Sequence, residues 1–113
     1  MHLDTFPYAG CTTTCDALWM GVPTVTRAGD AYVSRVGASI LSQVGLGDLV
    51  AGSADGYVAA AVALANDVPR LVALRATLRS TLAESPLGDA AGVARAFEAG
   101  LRRAWGAWCV AGN

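Results

Sequence analysis

The residues best suited to chemistry lie in the run GCTTTCD, from Gly10 to Asp16. If a helix begins within this run, its free backbone N–H groups and the positive end of its dipole favour a phosphate. The hydroxyls of Thr12 and Thr13 add donors for the same anion, and Gly10 lets the backbone approach it closely. The run therefore predicts an anion site, with an ordinary threonine N-cap as the alternative.

Asp16 lies about one turn farther along the same predicted helix. A carboxylate at this position can accept hydrogen bonds from the hydroxyls of a ribose. In open parallel sheets, ligands bind outside the carboxyl ends of the strands, where helices begin. The spacing therefore adds a ribose contact to the predicted phosphate site.

Cys11 and Cys15 offer a different chemistry, as a redox or metal pair. On a helix their Cα atoms would be roughly 6 Å apart, and disulfides across one turn are uncommon. Two thiols make a poor zinc site without further ligands, and the only histidine of the chain is His2. We therefore interpret Cys15 as a small apolar packing residue and rank the thiol function last.

The composition narrows the class of protein. The 113 residues fit one small domain, and 54% of them are hydrophobic, so part of the surface is expected to be covered by something else. All eight basic residues are arginines and the net charge is -1, which argues against a nucleic-acid partner. Without a signal peptide or an apolar run of about 20 residues, we expect a cytoplasmic protein with no membrane partner.

Short strands alternate with helices in the predicted order of elements. Strands are expected at His2–Phe6, Val22–Thr26 and Leu49–Ala51. Helices are expected at Thr12–Met20, at Tyr32–Val44, from an N-cap at Ser53 to Asn66, from Asp67 to Ser85 and from Asp89 to Trp108. This order predicts an α/β fold with a parallel sheet and crossover helices. Because doubly wound domains usually hold about six strands, three strands indicate part of such a domain.

The helices also predict which side chains are buried. Cys15, Leu18 and Trp19 would face the core from the first helix. On the last helix, Val93, Phe97, Leu101, Trp105 and Trp108 follow helical spacing. We expect this last apolar face to be exposed in the isolated chain and, with an unpaired sheet edge, to favour self-association.

The run LDTFPYAGCTTTCDALWMGVPTVTRAGDAYVSRVGASIL resembles the C-terminal catalytic region of the O-linked N-acetylglucosamine transferases, glycosyltransferase family 41. Within this family, the run resembles bacterial members that carry TPR repeats. The stretch SPLGDAAGVARAFEAGLRRAWGAWCVAGN resembles the family's C-terminal tail, so the resemblance covers essentially the whole chain.

This resemblance implies the C-terminal part of a Rossmann-like, GT-B donor domain, formed by residues 1–113, with the rest of the catalytic region upstream. It implies that Thr12 and Thr13 contact the diphosphate of UDP and that Asp16 holds the ribose. Gly10 and Cys11 complete the donor site, although animal members carry histidine in place of Cys11.

The resemblance further implies an inverting, metal-independent transfer of GlcNAc to Ser or Thr of a protein acceptor, without any other cofactor. In the family, a lysine from the upstream segment faces the diphosphate, and this chain has no lysine. We therefore expect the chain alone to be inactive. The alternative is a non-catalytic interaction module that has kept the fold.

Overall fold

Three short parallel strands form the sheet in the computed structural model, which describes residues 1–111. The strands are β1 (His2–Leu3), β2 (Thr24–Arg27) and β3 (Val50–Ala51), in the order β1-β2-β3. Both neighbouring pairs are parallel, with His2 opposite Thr24 and Thr26 opposite Val50. The carboxyl ends of all three strands therefore share one edge of the sheet, and the predicted α/β class is confirmed.

Five α-helices and two short 3-10 turns connect and cover these strands in the described part of the chain. The α-helices are α1 (Thr12–Trp19), α2 (Val36–Gln43), α3 (Ala54–Asn66), α4 (Val68–Glu84) and α5 (Ala90–Ala111). The 3-10 turns are Tyr32–Ser34 and Gly47–Leu49. The central strand β2 is contacted by α1, α2 and α3, which places the core around it.

Two predicted elements are shorter than expected. The helix predicted over Tyr32–Val44 is divided, because Arg35 (φ -120°, ψ -5°) leaves helical geometry between the 3-10 turn and α2. The first strand ends at Leu3 instead of Phe6, because the chain turns after Asp4. There the Asp4 carboxylate accepts hydrogen bonds from backbone N–H groups of the next segment.

The predicted helix caps are confirmed. Ser53 accepts a hydrogen bond from the Gly56 N–H at the start of α3, and Asp67 accepts one from the Arg70 N–H at the start of α4. Gly45 follows the end of α2 with φ +75°, a backbone conformation that favours glycine.

Leu18 on α1 packs into the fully buried core, which also holds Val25, Leu41, Leu64 and Leu78. The prediction that Trp19 belongs to the core is wrong, because its side chain is 43% exposed. Consecutive residues of a helix point about 100° apart, so the inward position of Leu18 turns Trp19 toward α4. There the guanidinium of Arg79 lies over its ring, 4.5 Å from the centroid.

Helix α5 has no buried residue along its 22-residue length. Its large apolar side chains are all exposed, as expected, and the rings of Trp105 and Trp108 stack on each other at 5.1 Å. Among residues 1–111 no single helix is long and apolar enough to cross a membrane. Helices α3 and α4, bent by 91° at the break between them, meet that criterion of length and composition only as a pair.

Candidate functional site

The loop from Asp4 to Cys11, between β1 and α1, is organised by one buried carboxylate. Asp4 is 2% exposed. Its Oδ1 accepts hydrogen bonds from the N–H groups of Thr5 (2.9 Å) and Gly10 (2.7 Å), and its Oδ2 accepts one from the Thr26 hydroxyl (2.6 Å). The carboxylate therefore links both ends of the loop to the central strand.

Gly10 is closely packed in this loop. A Cβ at this position would overlap Thr13 Oγ1 and would lie 3.1 Å from both Asp4 Oδ1 and Thr14 Oγ1. Gly10 therefore lets the loop close onto Asp4 and the first turn of α1. The structure shows Gly10 packed closely against residues of its own loop and helix. A close approach of Gly10 to a ligand stays a prediction.

The three threonines at the start of α1 have different surroundings. Thr14 is fully buried, and its hydroxyl donates to the Gly10 carbonyl oxygen at 3.1 Å. Thr12 and Thr13 are exposed. Within residues 1–111 neither of their backbone N–H groups has an acceptor, and the N-cap residue, Cys11, makes no side-chain cap. The first turn of α1 thus presents two free N–H groups and two hydroxyls to solvent.

Asp16 is exposed one turn into the same helix, so all five predicted site residues lie on one short segment. Because β1, β2 and β3 are parallel, this segment lies at the carboxyl edge of the sheet. The arrangement combines anion-binding donors with a carboxylate that can accept from hydroxyl groups. Whether these residues bind a nucleotide remains a prediction.

Both cysteines of this segment are free thiols. Cys15 is half-buried and packs against the core. Burial raises the pKa of its thiol, and the neighbouring charges of Cys11 and Asp16 raise it further. Because the thiolate is the reactive form, these surroundings favour a packing role for Cys15 over a redox role.

A chain of contacts leads from Asp4 to a second wall of the site. The Tyr57 hydroxyl donates to the Asp4 carbonyl oxygen at 2.9 Å. Burial, followed by the nearby Asp4 charge, raises the pKa of Tyr57, so its hydroxyl stays protonated. The Phe6 ring packs edge-on against the Tyr57 ring at 5.7 Å, and the Arg27 guanidinium lies 5.2 Å from the Phe6 centroid.

The loop after β2 forms the opposite wall. Arg35 Nη1 donates to the Gly29 carbonyl oxygen at 3.0 Å, which closes this loop on itself. The Ala9 N–H donates to the Val33 carbonyl oxygen at 2.9 Å and joins the two loops. Between them is a cavity of about 300 Å³, lined by Phe6, Pro7, Arg27, Gly29, Asp30, Ala31 and Ser34.

Sequence reasoning missed Asp4, Tyr57 and Arg27 at this edge. Asp4 was within the motif that carried the family resemblance and directly follows a strand, which is a usual position for a functional carboxylate. Tyr57 and Arg27 are distant from the loop in sequence, so only the fold reveals them. On the opposite wall, Asp30 is exposed, and Arg35 donates to the Gly29 carbonyl oxygen of its own loop.

Comparison with known proteins identifies relatives along almost the whole chain. The model of the family "Glycosyl transferase family 41" matches residues 1–96. A protein of Oryza sativa subsp. japonica named "Probable UDP-N-acetylglucosamine--peptide N-acetylglucosaminyltransferase SPINDLY" is 50% identical over 109 residues, which is 96% of this chain. The Caenorhabditis elegans UDP-N-acetylglucosamine--peptide N-acetylglucosaminyltransferase is 39% identical over 87 residues, or 77% of this chain and 8% of that protein.

A solved structure is similar as well. It is a mutant of the O-GlcNAc transferase of Thermobaculum terrenum, with a TM-score of 0.90 and 38% identity over 98% of this chain. The present chain corresponds to 21% of that structure and to 12% of the rice relative. It therefore matches only a small part of each of these proteins.

Proposed function

The chain belongs to glycosyltransferase family 41, and on that premise we propose that it is the donor-binding portion of a protein O-glycosyltransferase. The donor would be a nucleotide sugar of the UDP-GlcNAc type, and the acceptor a Ser or Thr hydroxyl of a protein. The observation that carries this proposal is the exposed first turn of α1, where the Thr12 and Thr13 N–H groups lack acceptors in the described chain.

Each residue of the segment has a distinct role in this proposal. The diphosphate accepts hydrogen bonds from the backbone N–H groups and hydroxyls of Thr12 and Thr13, and the helix dipole stabilises its charge. The Cys11 backbone continues this surface, and Gly10 keeps the loop closed behind it. The Asp16 carboxylate accepts hydrogen bonds from the ribose.

We propose that the transfer inverts the sugar configuration and needs no metal, with protein donors stabilising the leaving diphosphate. We propose that the groups that activate the acceptor lie outside this chain, which corresponds to 12% of the rice relative and 21% of the solved structure. The chain alone therefore binds the donor weakly and transfers no sugar. We further propose that the protein acts in the cytoplasm.

The test is a titration of the ¹⁵N-labelled 113-residue chain with UDP and with UDP-GlcNAc, followed by NMR. The expected result is that the amide signals of residues 10–16 shift saturably, and that Thr13→Val and Asp16→Asn weaken the binding. Thr77→Val is the matched control, since Thr77 is an exposed threonine within α4. Titration with GDP tests whether the site prefers a uracil nucleotide, in which case GDP should bind more weakly than UDP.

A uniform lack of shifts in residues 10–16 would contradict the donor proposal. It would favour the second candidate, an interaction module that has kept the fold without binding nucleotides. The observation in favour of that candidate is α5, whose apolar face covers nothing in the described chain. Isothermal titration distinguishes the two, because an interaction module gives no saturable heat with any of these nucleotides.

A further inference from the structure

Arg27, like Arg79 and Arg103, has neither a carboxylate nor a backbone carbonyl oxygen as a partner in the described chain. Three arginines have carboxylate partners, namely Arg70, Arg95 and Arg102, and two donate to backbone carbonyl oxygens, namely Arg35 and Arg75. Within residues 1–111, Arg27 has neither kind of partner. Its guanidinium lies over the Phe6 ring instead, although the side chain is half-buried.

This contact fixes the guanidinium without using its N–H groups. A guanidinium over an aromatic ring is attracted through its face, and its donors remain free at the edges. The ring itself is held in place, because Phe6 packs against Tyr57 and Tyr57 donates to the Asp4 carbonyl oxygen. Arg27 is therefore a positioned cation with unused donors.

The cavity between the two loops gives these donors a place to act. Arg27 lines it, and it lies at the carboxyl edge of the sheet, where α1 also begins. Its volume of about 300 Å³ is at the lower end of small-molecule sites, so it accepts part of a nucleotide sugar rather than all of it. Asp30 is exposed on the same lining and makes no ion pair with Arg27.

We propose that Arg27 is a side-chain anchor for the diphosphate of the donor, acting beside the first turn of α1. This inference rests on the proposed function. A guanidinium can bind two phosphate oxygens through parallel hydrogen bonds, which makes it well suited to a diphosphate. The chain thus supplies a cation of its own to the site, although it contains no lysine.

The experiment is a titration of the 113-residue chain with inorganic pyrophosphate, UDP and uridine, followed through the arginine Nε–H signals by NMR. Pyrophosphate and UDP should shift the Arg27 signal, whereas uridine, which lacks phosphate, should not. Arg27→Gln should weaken the binding of both phosphate ligands about tenfold or more, as expected for a lost hydrogen bond to a charged group.

Arg79→Gln is the matched control. Arg79 also lies over an aromatic ring, that of Trp19, but at the end of α1 remote from the site. The Arg79→Gln variant should bind pyrophosphate and UDP with the same affinity as the wild type. Arg27→Lys should recover part of the affinity, because lysine restores the charge but not the planar pair of donors.

Each outcome decides the inference. If Arg27→Gln binds UDP as tightly as the wild type while Thr13→Val binds more weakly, the Arg27 inference is wrong and the proposed function stands. If pyrophosphate binds in an Arg27-dependent manner but UDP binds no better, the cation site stands and the nucleotide proposal fails. Should Arg27→Gln not fold, the Arg27 Nε–H signal of the wild type decides, since an unshifted signal at saturating UDP overturns the inference.

Discussion

Replacing Asp4 by alanine tests whether this carboxylate organises the loop before α1. The side chain is 2% exposed and accepts three hydrogen bonds, so its removal deprives three donors of their partner. Thr5 is exposed, and water can replace the acceptor for its N–H. Thr26 is fully buried and Gly10 is half-buried, so in Asp4→Ala these two donors are left without an acceptor where water does not readily replace it.

The expected cost follows from these two donors. A buried donor without an acceptor costs about 1–3 kcal/mol. The fully buried Thr26 hydroxyl should cost about 2 kcal/mol, and the half-buried Gly10 N–H about 1 kcal/mol. Together they destabilise Asp4→Ala by roughly 3 kcal/mol. That is a large part of the total free energy of unfolding of a domain, typically about 5–15 kcal/mol, and lowers the Tm by about 10 °C.

Asp4→Asn separates hydrogen bonding from charge. Asparagine keeps one oxygen for the Gly10 N–H, and its amide group can donate to a reoriented Thr26 hydroxyl. The charge-assisted hydrogen bond of 2.6 Å becomes a neutral one, so the expected cost is only about 1 kcal/mol. Asp30→Ala is the control for a carboxylate without buried partners, since Asp30 is exposed.

The assay is urea denaturation of the 113-residue chain, followed by circular dichroism, with a common m-value for all variants. We expect wild type and Asp30→Ala to be the most stable, Asp4→Asn to be less stable and Asp4→Ala to be the least stable. If Asp4→Ala unfolds at the same urea concentration as Asp30→Ala, the carboxylate does not hold the loop, and this account of the site is refuted.

Further predictions concern Tyr57, the cysteines and α5. Tyr57→Phe should lose about 1 kcal/mol of stability with its hydroxyl, a loss that Tyr32→Phe should not show by urea denaturation. Because the folded pKa of Tyr57 is raised above its usual value of 10.0, its stabilisation is complete below that pH and is lost as the pH rises through the folded pKa. As the pH rises above 10, the free energy of unfolding should therefore decline less in Tyr57→Phe than in the wild type. Iodoacetamide at pH 8 should modify Cys11 before Cys15, as mass spectrometry can measure, because burial raises the pKa of the Cys15 thiol. Removing residues 89–113 should leave the thermal midpoint nearly unchanged, since α5 buries no residue, and should reduce self-association in light scattering.

The local features of this fold could be predicted from sequence. The start of α1, the caps at Ser53 and Asp67 and the alternation of strands and helices along the chain follow from residue types and short-range spacing. The role of Asp4 could not, because its partner Thr26 lies 22 residues away and meets it only once the strands pair. The position of Trp19 could not be predicted either, because Arg79, which covers its ring, lies on α4 and is distant from it in sequence.

Asp4 carries a negative charge close to the predicted anion site, and its hydrogen bonds explain how the two can be neighbours. Its carboxylate accepts from the Thr5 and Gly10 N–H groups, which precede the helix, and from the Thr26 hydroxyl, whereas the Thr12 and Thr13 N–H groups remain free in the described chain. The backbone donors of this segment thus serve two anions, the internal Asp4 carboxylate and the proposed external phosphate. Asp4 also contacts the wall that holds Arg27, but through its backbone: the Tyr57 hydroxyl donates to the Asp4 carbonyl oxygen, and the Phe6 ring lies between Tyr57 and Arg27. A side-chain change at Asp4 that leaves the chain folded should therefore weaken phosphate binding at the first turn of α1, while the hydrogen bond from Tyr57 to the Asp4 backbone remains.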